Sequence, residues 1–357
     1  MKKLKLFIFI IICIFILIGL GTSLFFFNLR SVDKNNKNNI DIKIESGMSV
    51  DNILSTLKEK ELIRNKLFSK IYIKLTNYNM QAGEYELNKS MSSIDIIKAI
   101  ANGKVTDKNN IILTFKEGQN IRDYAKIIAK NTNNKESDVF NLLEDTSYID
   151  SLINKYWFLT DDIKSSGIYY PLEGYLFPDT YNFKKNASIE EILEKMIKTL
   201  GTKLEVYKKD IELSKYSIHE LITLASIIEL EGASSSDRAG VAGVFYNRLK
   251  DNWTLGSDAT TYYAVGKGFE RDLSLKDLQS CNGYNTRSES KCAFTGLPVG
   301  PIDSPSLASL AAVFEPTESD YYFFVADKNK KTYFMKTIKE HNEMISQLQK
   351  EGLWYEY

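Results

Sequence analysis

The chain has 357 residues, of which 43% are hydrophobic, and its 46 Lys and Arg are balanced by 46 Asp and Glu. This balance leaves no basic footprint for nucleic acid, so the sequence excludes that class of partner. Only two histidines occur, His219 and His341, and no close pair of His or Cys ligands accompanies them. Neither a metal nor a cofactor is therefore predicted. The length allows two or three domains, and the patterns described below predict an α+β fold.

The N-terminal region carries a long apolar run. Residues 6–27 contain no charged side chain and are numerous enough to cross a hydrocarbon core of roughly 30 Å as a helix. Three lysines precede the run, which places residues 1–5 in the cytoplasm and the rest of the chain outside. A cleaved signal peptide is the alternative, but its apolar region is normally shorter and ends in small residues. The sequence therefore predicts an uncleaved single-pass anchor in the cell membrane.

A small α/β module is predicted for residues 40–130, after a polar linker at 28–39. Ile40–Ile44 alternates apolar and polar residues as a strand does, Gly47 turns the chain, and a helical apolar face begins at Val50. The same order of strand, glycine and helix returns around Gly118, which predicts a degenerate internal repeat. Between the two copies lie a predicted helix, a strand and another helix, at Lys66–Leu75, Gly83–Leu87 and Ser93–Ala101.

Residues 131–155 are predicted as a polar helical connection, and residues 156–357 as a second, mixed α/β domain. Capping boxes, in which Ser or Thr precedes Glu by three positions, predict helices that begin after Ser188, Ser217 and Thr337. Two further helices are predicted, over Arg238–Leu249 and from the Ser304–Pro305 pair. A hairpin is predicted to join Tyr321–Ala326 to Thr332–Met335.

The helix after Ser217, SIHELITLASIIELEG, is apolar on most of its circumference, which predicts a buried helix. Its polar positions Thr223, Ser226 and Glu229 are three residues apart and form one narrow stripe. Apolar neighbours would favour the neutral form of the Glu229 carboxyl group. That is the form a general acid needs. A structural glutamate that binds a loop amide is the alternative, and it is the commoner case for an arbitrary sequence.

Several segments occur in a recognisable order: LASIIELEG, DRAGVAGVFYNRL, LGSDATTYY, YNTR, GLPVGPIDSPSLASL, YYFFVAD and EHN. With the upstream AGEYEL and LEGYLFPDTY, this series resembles the endolytic murein transglycosylases of the YceG-like family, from about residue 40 onward. The resemblance implies that residues 40–130 are a LysM-like module and residues 156–357 the catalytic domain. It places the catalytic glutamate at Glu229. It also assigns a substrate groove to Glu173, Ser226, Ser257, Asp258, Thr260, Tyr263, Asn285, His341 and Asn342.

The activity that this resemblance implies is cleavage of the MurNAc–GlcNAc bond in peptidoglycan glycan strands. Glu229 would protonate the leaving oxygen and then, as a carboxylate, accept the proton of the C6 hydroxyl while a 1,6-anhydro ring closes. Two alternatives remain. One is a non-catalytic peptidoglycan-binding scaffold for cell-wall synthesis, and the other is a muramidase with two carboxylates, Glu229 with Asp258 or Glu231. The implied partners are glycan strands and cell-wall synthases.

The chain departs from the family pattern around one loop. Ala259 and Val299 stand where proline is usual, and the segment Arg287–Thr295 is longer than usual. Cys281 and Cys292 frame this segment, and outside the membrane they could form a disulfide. Two free thiols are the alternative, and the sequence leaves both open.

Overall fold

The computed structural model describes residues 17, 19–103 and 110–354. The regular secondary structure of these residues consists of helices and three two-stranded sheets, so the predicted α+β class is confirmed. The chain divides between Asn110 and Ile111 into two compact units. Most of the predicted membrane span, residues 6–27, lies outside the described residues. Within the described ranges, no helix has both the length and the apolar character that a membrane crossing needs.

The first unit is built on the antiparallel pair of β1 (Asn39–Ile44) and β2 (Gly83–Asn88). Alternate residues of the two strands face the core, where Ile42 lies opposite Tyr85. Three helices cover this face, α1 (Val50–Glu59), α2 (Lys66–Thr76) and α3 (Ser93–Ala101). The predicted elements of this region are therefore confirmed, with helix ends that differ by a residue or less.

The predicted linker, residues 28–39, is held against the first unit. Leu29 is buried, and its carbonyl oxygen accepts a hydrogen bond from the Ser93 N–H at 2.9 Å. Arg64 Nε donates to the Ser31 carbonyl oxygen at 2.9 Å, and its guanidinium lies over the Phe27 ring. The polar composition of this segment therefore does not make it a free tether, because its carbonyl groups are bound by the folded unit.

The second unit begins within β3 (Asn110–Thr114), which pairs with β4 (Thr180–Lys184). Its hairpin joins β5 (Phe323–Ala326) to β6 (Thr332–Met335). The helices follow in the order α4 (Ile121–Asn131), α5 (Glu136–Glu144), α6 (Thr146–Lys155), α7 (Ile189–Leu204), α8 (Lys208–Leu213), α9 (Ile218–Glu231), α10 (Arg238–Lys250), α11 (Asp258–Val265), α12 (Leu275–Leu278), α13 (Leu307–Phe314) and α14 (Ile338–Lys350). Short 3₁₀ helices lie at Asp161–Lys164 and Glu205–Tyr207.

The second copy of the repeat belongs to this second unit. Gly118 has φ +71°, as Gly47 has φ +83° in the first copy, so both turns use the left-handed conformation that glycine tolerates. The apolar face of α4 is buried in the core of the second unit. The second copy therefore falls in the second unit, where β3 pairs with a strand that lies far along the chain.

Helix α9 lies in the middle of the second unit, and every residue from Ile218 to Glu229 except Glu220 is buried. It packs against α10, α11 and α13. This burial follows from the apolar circumference of the helix, which leaves no face for solvent. The capping box of Ser217 and Glu220 fixes where α9 begins, as predicted.

Helix α13 begins at Leu307, later than the Ser304–Pro305 pair predicted. Its N-cap is Ser306, whose hydroxyl accepts a hydrogen bond from the Ser309 N–H. The backbone of Ser304 is bound elsewhere, since it accepts from Gly118 N–H and donates to the Gln119 carbonyl oxygen, both at 3.0 Å. These two hydrogen bonds hold residue 304 outside the helix and direct the start of α13 towards α9.

Candidate functional site

The carboxylate of Glu229 lies in the last turn of α9 and is 8% exposed. Its Oε1 accepts a hydrogen bond from Arg238 Nη2 at 2.6 Å. Its Oε2 accepts from the Ser306 N–H at 2.9 Å and from the Ser309 hydroxyl at 2.7 Å. The expectation of apolar surroundings for this carboxylate is therefore wrong. A guanidinium and the N-terminus of a helix surround it, and both favour a negative charge.

The two other polar residues of the stripe fix the backbone beside Glu229. The Ser226 hydroxyl donates to the Thr223 carbonyl oxygen at 2.8 Å and accepts from the Ile302 N–H at 3.1 Å. Both Ser226 and Thr223 are fully buried. Ser226, predicted as a substrate contact, therefore anchors the segment that leads into α13.

The loop between β3 and α4 covers one side of Glu229. A Cβ atom added at Gly118 would lie 3.7 Å from Glu229 Cγ and 3.3 Å from Leu230 Cδ2. Glu117 is the preceding residue in this loop. Burial and the charge of Glu229 raise the pKa of Glu117, while Arg238 opposes that rise. The absence of a side chain at Gly118 lets the loop approach α9 closely.

Two more carboxyl groups are buried, at Asp303, which interacts with the charge of Glu229, and at Glu173, which interacts with Asp303. Glu173 accepts hydrogen bonds from the Ile121 N–H at 3.1 Å and from the Tyr263 hydroxyl at 3.0 Å. Burial raises the pKa of Glu173 to about 8, although these two hydrogen bonds oppose the rise. Neither carboxyl oxygen of Asp303 has a hydrogen-bond partner among the residues that the structure describes. Burial, followed by the charges of Glu229 and Glu173, raises the pKa of Asp303 well above its ordinary value.

Sequence reasoning did not single out Arg238, Ser309, Asp303 or Glu117. Arg238 and Asp303 stand in segments that carry the family resemblance, DRAGVAG and GPIDSPSLASL. The sequence signal for Arg238 and Asp303 was their position in those segments. That position does not show which side chains point towards Glu229.

Most of the predicted groove residues near α11 face inward. Thr261 donates to Asn285 Oδ1 at 2.9 Å, and Asn285 Nδ2 donates to the carbonyl oxygens of Leu278 and Ser280. The hydroxyl groups of Thr260 and Thr286 are 2.9 Å apart. Thr260 and Asn285 are fully buried. In this structure they therefore hold the loop that follows α12 against α11.

Two other carboxylates, Glu231 and Asp258, are alternative candidates for a catalytic role, and each is bound by another side chain. The Ser257 hydroxyl donates to Glu231 Oε1 at 2.5 Å, and burial raises the pKa of Glu231. Asp258 is exposed and forms an ion pair with Arg287 at 2.9 Å. Ser257 is therefore bonded to a carboxylate, and Asp258 to a cation.

Cys281 and Cys292 form a disulfide, with Cα atoms 5.0 Å apart. The bond closes the lengthened segment whose state the sequence left open. Arg287, within that segment, also pairs with Glu289 at 2.9 Å. The disulfide therefore holds the two ends of the loop, and the ion pair between Arg287 and Asp258 holds its middle.

His341 and Asn342 lie on α14, and no hydrogen bond joins either to the Glu229 group among the described residues. The His341 ring is 5.7 Å from the Phe323 ring. Asn342 lines a separate surface hollow together with Lys339 and Glu343. Their contact with substrate remains a prediction. Within the described ranges, no cluster of three or more His, Cys, Asp or Glu side chains could hold a metal ion.

A cavity of about 490 Å³ opens next to the last turn of α9, where Leu230 lines it and Glu229 itself does not. Gly118, Leu230 and Ile302 form the wall nearest to the carboxylate. Tyr262 and Tyr263 line the cavity farther away, and the Phe269 ring lies 4.8 Å from Tyr262. A volume of this size suits a small ligand or one part of a larger one.

Comparisons with known proteins agree on one family. The model of the YceG-like family matches residues 42–347. The endolytic murein transglycosylase of Bacillus subtilis (strain 168) is 38% identical over 318 residues, which cover 88% of this chain and 86% of the relative. A protein of the same name from Streptococcus pneumoniae (strain ATCC BAA-255 / R6) is 32% identical over 336 residues, which cover 89% of this chain and 60% of that longer relative. Among solved structures, a 2.6 Å crystal structure of a YceG-like protein from Listeria monocytogenes matches with a TM-score of 0.61 and 35% identity. The match covers 86% of this chain and 99% of that one.

Proposed function

Because the chain belongs to the YceG-like family, we propose that it is a peptidoglycan lytic transglycosylase with Glu229 as its acid and base. One observation carries this assignment to a residue. Glu229 is a buried carboxylate held by three donors, and its neighbours Gly118 and Leu230 line an open cavity. Fixed placement of one carboxylate beside a cavity is what a proton transfer at a bound sugar requires.

The two oxygens of Glu229 have different partners. Oε2 accepts from two donors, Ser306 and Ser309, whereas Oε1 accepts from Arg238 alone. Arg238 then stabilises the carboxylate that remains once the proton has left.

The reaction balances without water. Glu229 gives its proton to the oxygen between MurNAc C1 and GlcNAc, and the C1–O bond breaks. The C6 hydroxyl of the same MurNAc attacks C1, and its proton returns to the Glu229 carboxylate. The products are a strand that ends in 1,6-anhydro-MurNAc and a strand that begins with a free GlcNAc hydroxyl.

Product mass tests this function against both alternatives. The purified full-length protein is incubated with isolated sacculi, and the released fragments are analysed by mass spectrometry. We expect ends that are lighter by one water than reducing ends. Reducing ends as the main product would identify a muramidase instead, and binding without release of any fragment would identify a scaffold.

The same proposal includes the location of the protein. Residues 6–27 anchor the chain in the cell membrane, and the catalytic domain lies outside, where peptidoglycan is found. The apolar run and the lysines before it support this orientation. A phosphatase reporter fused after Tyr357 should be active, and an inactive one would contradict the orientation. The first unit then serves as a LysM-like module that holds glycan, and cell-wall synthases are the expected protein partners.

A further inference from the structure

The cavity beside Glu229 carries more positive than negative side chains. Its walls contain four cationic residues, Arg122, Lys126, Lys267 and Arg271, but only two acidic ones, Asp123 and Glu270. Three of the four cations have carboxylate partners. Lys126 lies 3.6 Å from Asp123, Arg271 lies 3.6 Å from Glu270, and Lys267 pairs with Asp277. The remaining cation, Arg122, decides what the cavity can bind.

Arg122 is held in place by aromatic rings and a carbonyl group. Its Nη2 donates to the Tyr263 carbonyl oxygen at 3.1 Å, and its guanidinium carbon is 4.7 Å from the centre of the Tyr263 ring. The Tyr170 ring lies 5.9 Å away. Because these contacts fix the planar guanidinium before any ligand arrives, little side-chain entropy is lost on binding.

No carboxylate balances Arg122 among the residues that the structure describes. Its Nε is buried without a hydrogen-bond partner. Glu173 is near enough for the two charges to interact, but its oxygens are bound to Ile121 and Tyr263 instead. Because Arg122 lines the cavity and no carboxylate of the described residues accepts from it, an anionic ligand would bind there more favourably than a neutral one.

The substrate offers one kind of anion. The GlcNAc and MurNAc rings carry neutral hydroxyl and acetamido groups, whereas the stem peptide attached to MurNAc carries carboxylates. We propose that this cavity binds a stem-peptide carboxylate through Arg122 while Glu229 acts on the adjoining glycan bond. This inference rests on the proposed function. Gly118, Leu230 and Ile302, which join the cavity to the Glu229 group, give the two parts of the substrate adjacent places.

Three forms of one substrate test the inference. Uncrosslinked glycan strands with intact stem peptides are compared with strands whose peptides have been removed. They are also compared with strands whose peptide carboxylates have been converted to amides. We expect the wild-type kcat/KM for release of anhydro ends to be about tenfold higher for the intact strands, since a charge-assisted hydrogen bond is lost in the other two.

Variants at the cavity should reduce this preference. Arg122→Gln should bring the ratio of intact to peptide-free rates close to one. Lys126→Gln, at an exposed rim position that tolerates substitution, should lower it by a smaller factor. Lys130→Gln, on the same helix but outside the cavity, is the matched control and should keep the wild-type ratio. Equal losses on all three substrates for Arg122→Gln would show a structural role and overturn the inference.

A binding measurement separates this inference from the proposed function. Glu229→Gln protein is titrated with short intact and peptide-free strands, which requires no cleavage. A tighter Kd for intact strands supports the cavity assignment even if no anhydro ends are ever released. Equal Kd values overturn it, even if the wild-type protein proves to be a transglycosylase.

Discussion

Replacement of Glu229 by Gln should weaken the fold as well as abolish cleavage. Both oxygens of Glu229 accept hydrogen bonds from groups that can only donate, Arg238 on one side and the Ser306 N–H on the other. An amide has one accepting oxygen and one donating nitrogen. Whichever way the introduced amide is turned, its nitrogen therefore faces another donor.

The expected loss of stability follows from the buried ion pair. The side chains of Glu229 and Arg238 are 5% and 10% exposed, so water screens the pair little. Removal of one partner from a buried pair costs about 3–5 kcal/mol. We expect about 3 kcal/mol, the lower end of that range, because Arg238 keeps its hydrogen bond to Ser235. Cleavage should fall by about 10²–10⁴-fold, the usual contribution of a general acid or base.

Urea unfolding and anhydro-end release measure the two effects on the same purified protein. Glu231→Gln is the matched control, two residues along α9. Its bond to the Ser257 hydroxyl can be kept by an amide oxygen, so we expect a loss below about 1 kcal/mol and near wild-type cleavage. Unchanged stability of Glu229→Gln would refute the ion-pair reasoning. Near wild-type cleavage by Glu229→Gln, or loss of cleavage in Glu231→Gln, would refute the catalytic assignment.

Three further predictions concern stability. Burial raises the pKa of Glu173 from 4.5 to about 8. The neutral form of this side chain therefore makes its full contribution to the unfolding free energy below pH 4.5, and this contribution is lost as the pH rises through 8. The unfolding free energy should therefore fall less between pH 5 and 8 in Glu173→Gln than in the wild-type protein. Urea titrations that show the same fall for both proteins would contradict this. Replacement of Cys281 and Cys292 by Ser should lower the unfolding free energy by up to about 3 kcal/mol. Thiol labelling of the wild-type protein without reductant at these two positions would disprove the bond. Gly118→Ala should cost about 1–2 kcal/mol by thermal unfolding and reduce cleavage, because of its φ and its contact with Leu230. Gly352→Ala, with a similar φ of +70° and open space around it, should show the smaller loss and normal cleavage.

Local sequence signals predicted the elements well, because the forces that set them act over a few residues. The periodicity of α9 and its capping box defined a buried helix with Glu229 in its last turn. The partners of Glu229 were not predictable in this way. Arg238 reaches it only because α10 folds back on α9, and Ser306 and Ser309 lie far along the chain. No periodicity carries that information.

Polar residue types were a weaker guide to the groove. Thr260 and Asn285 suit sugar hydroxyls, but the same groups also suit backbone carbonyls and neighbouring hydroxyls, which are what they bind. The boundary between the two compact units also depends on contacts that are not local. The repeated order of strand, glycine and helix is local, whereas the pairing of β3 with β4 depends on a strand far along the chain.

The contacts of residues 28–31 leave no free chain between residue 28 and the first unit. If residues 6–27 form the anchor, the folded first unit starts at the bilayer surface, because Leu29 is already buried in it and Arg64 binds Ser31. No slack chain is left there to be stretched. The first unit would then be held at a nearly constant distance from the lipid, and so would any glycan bound to it.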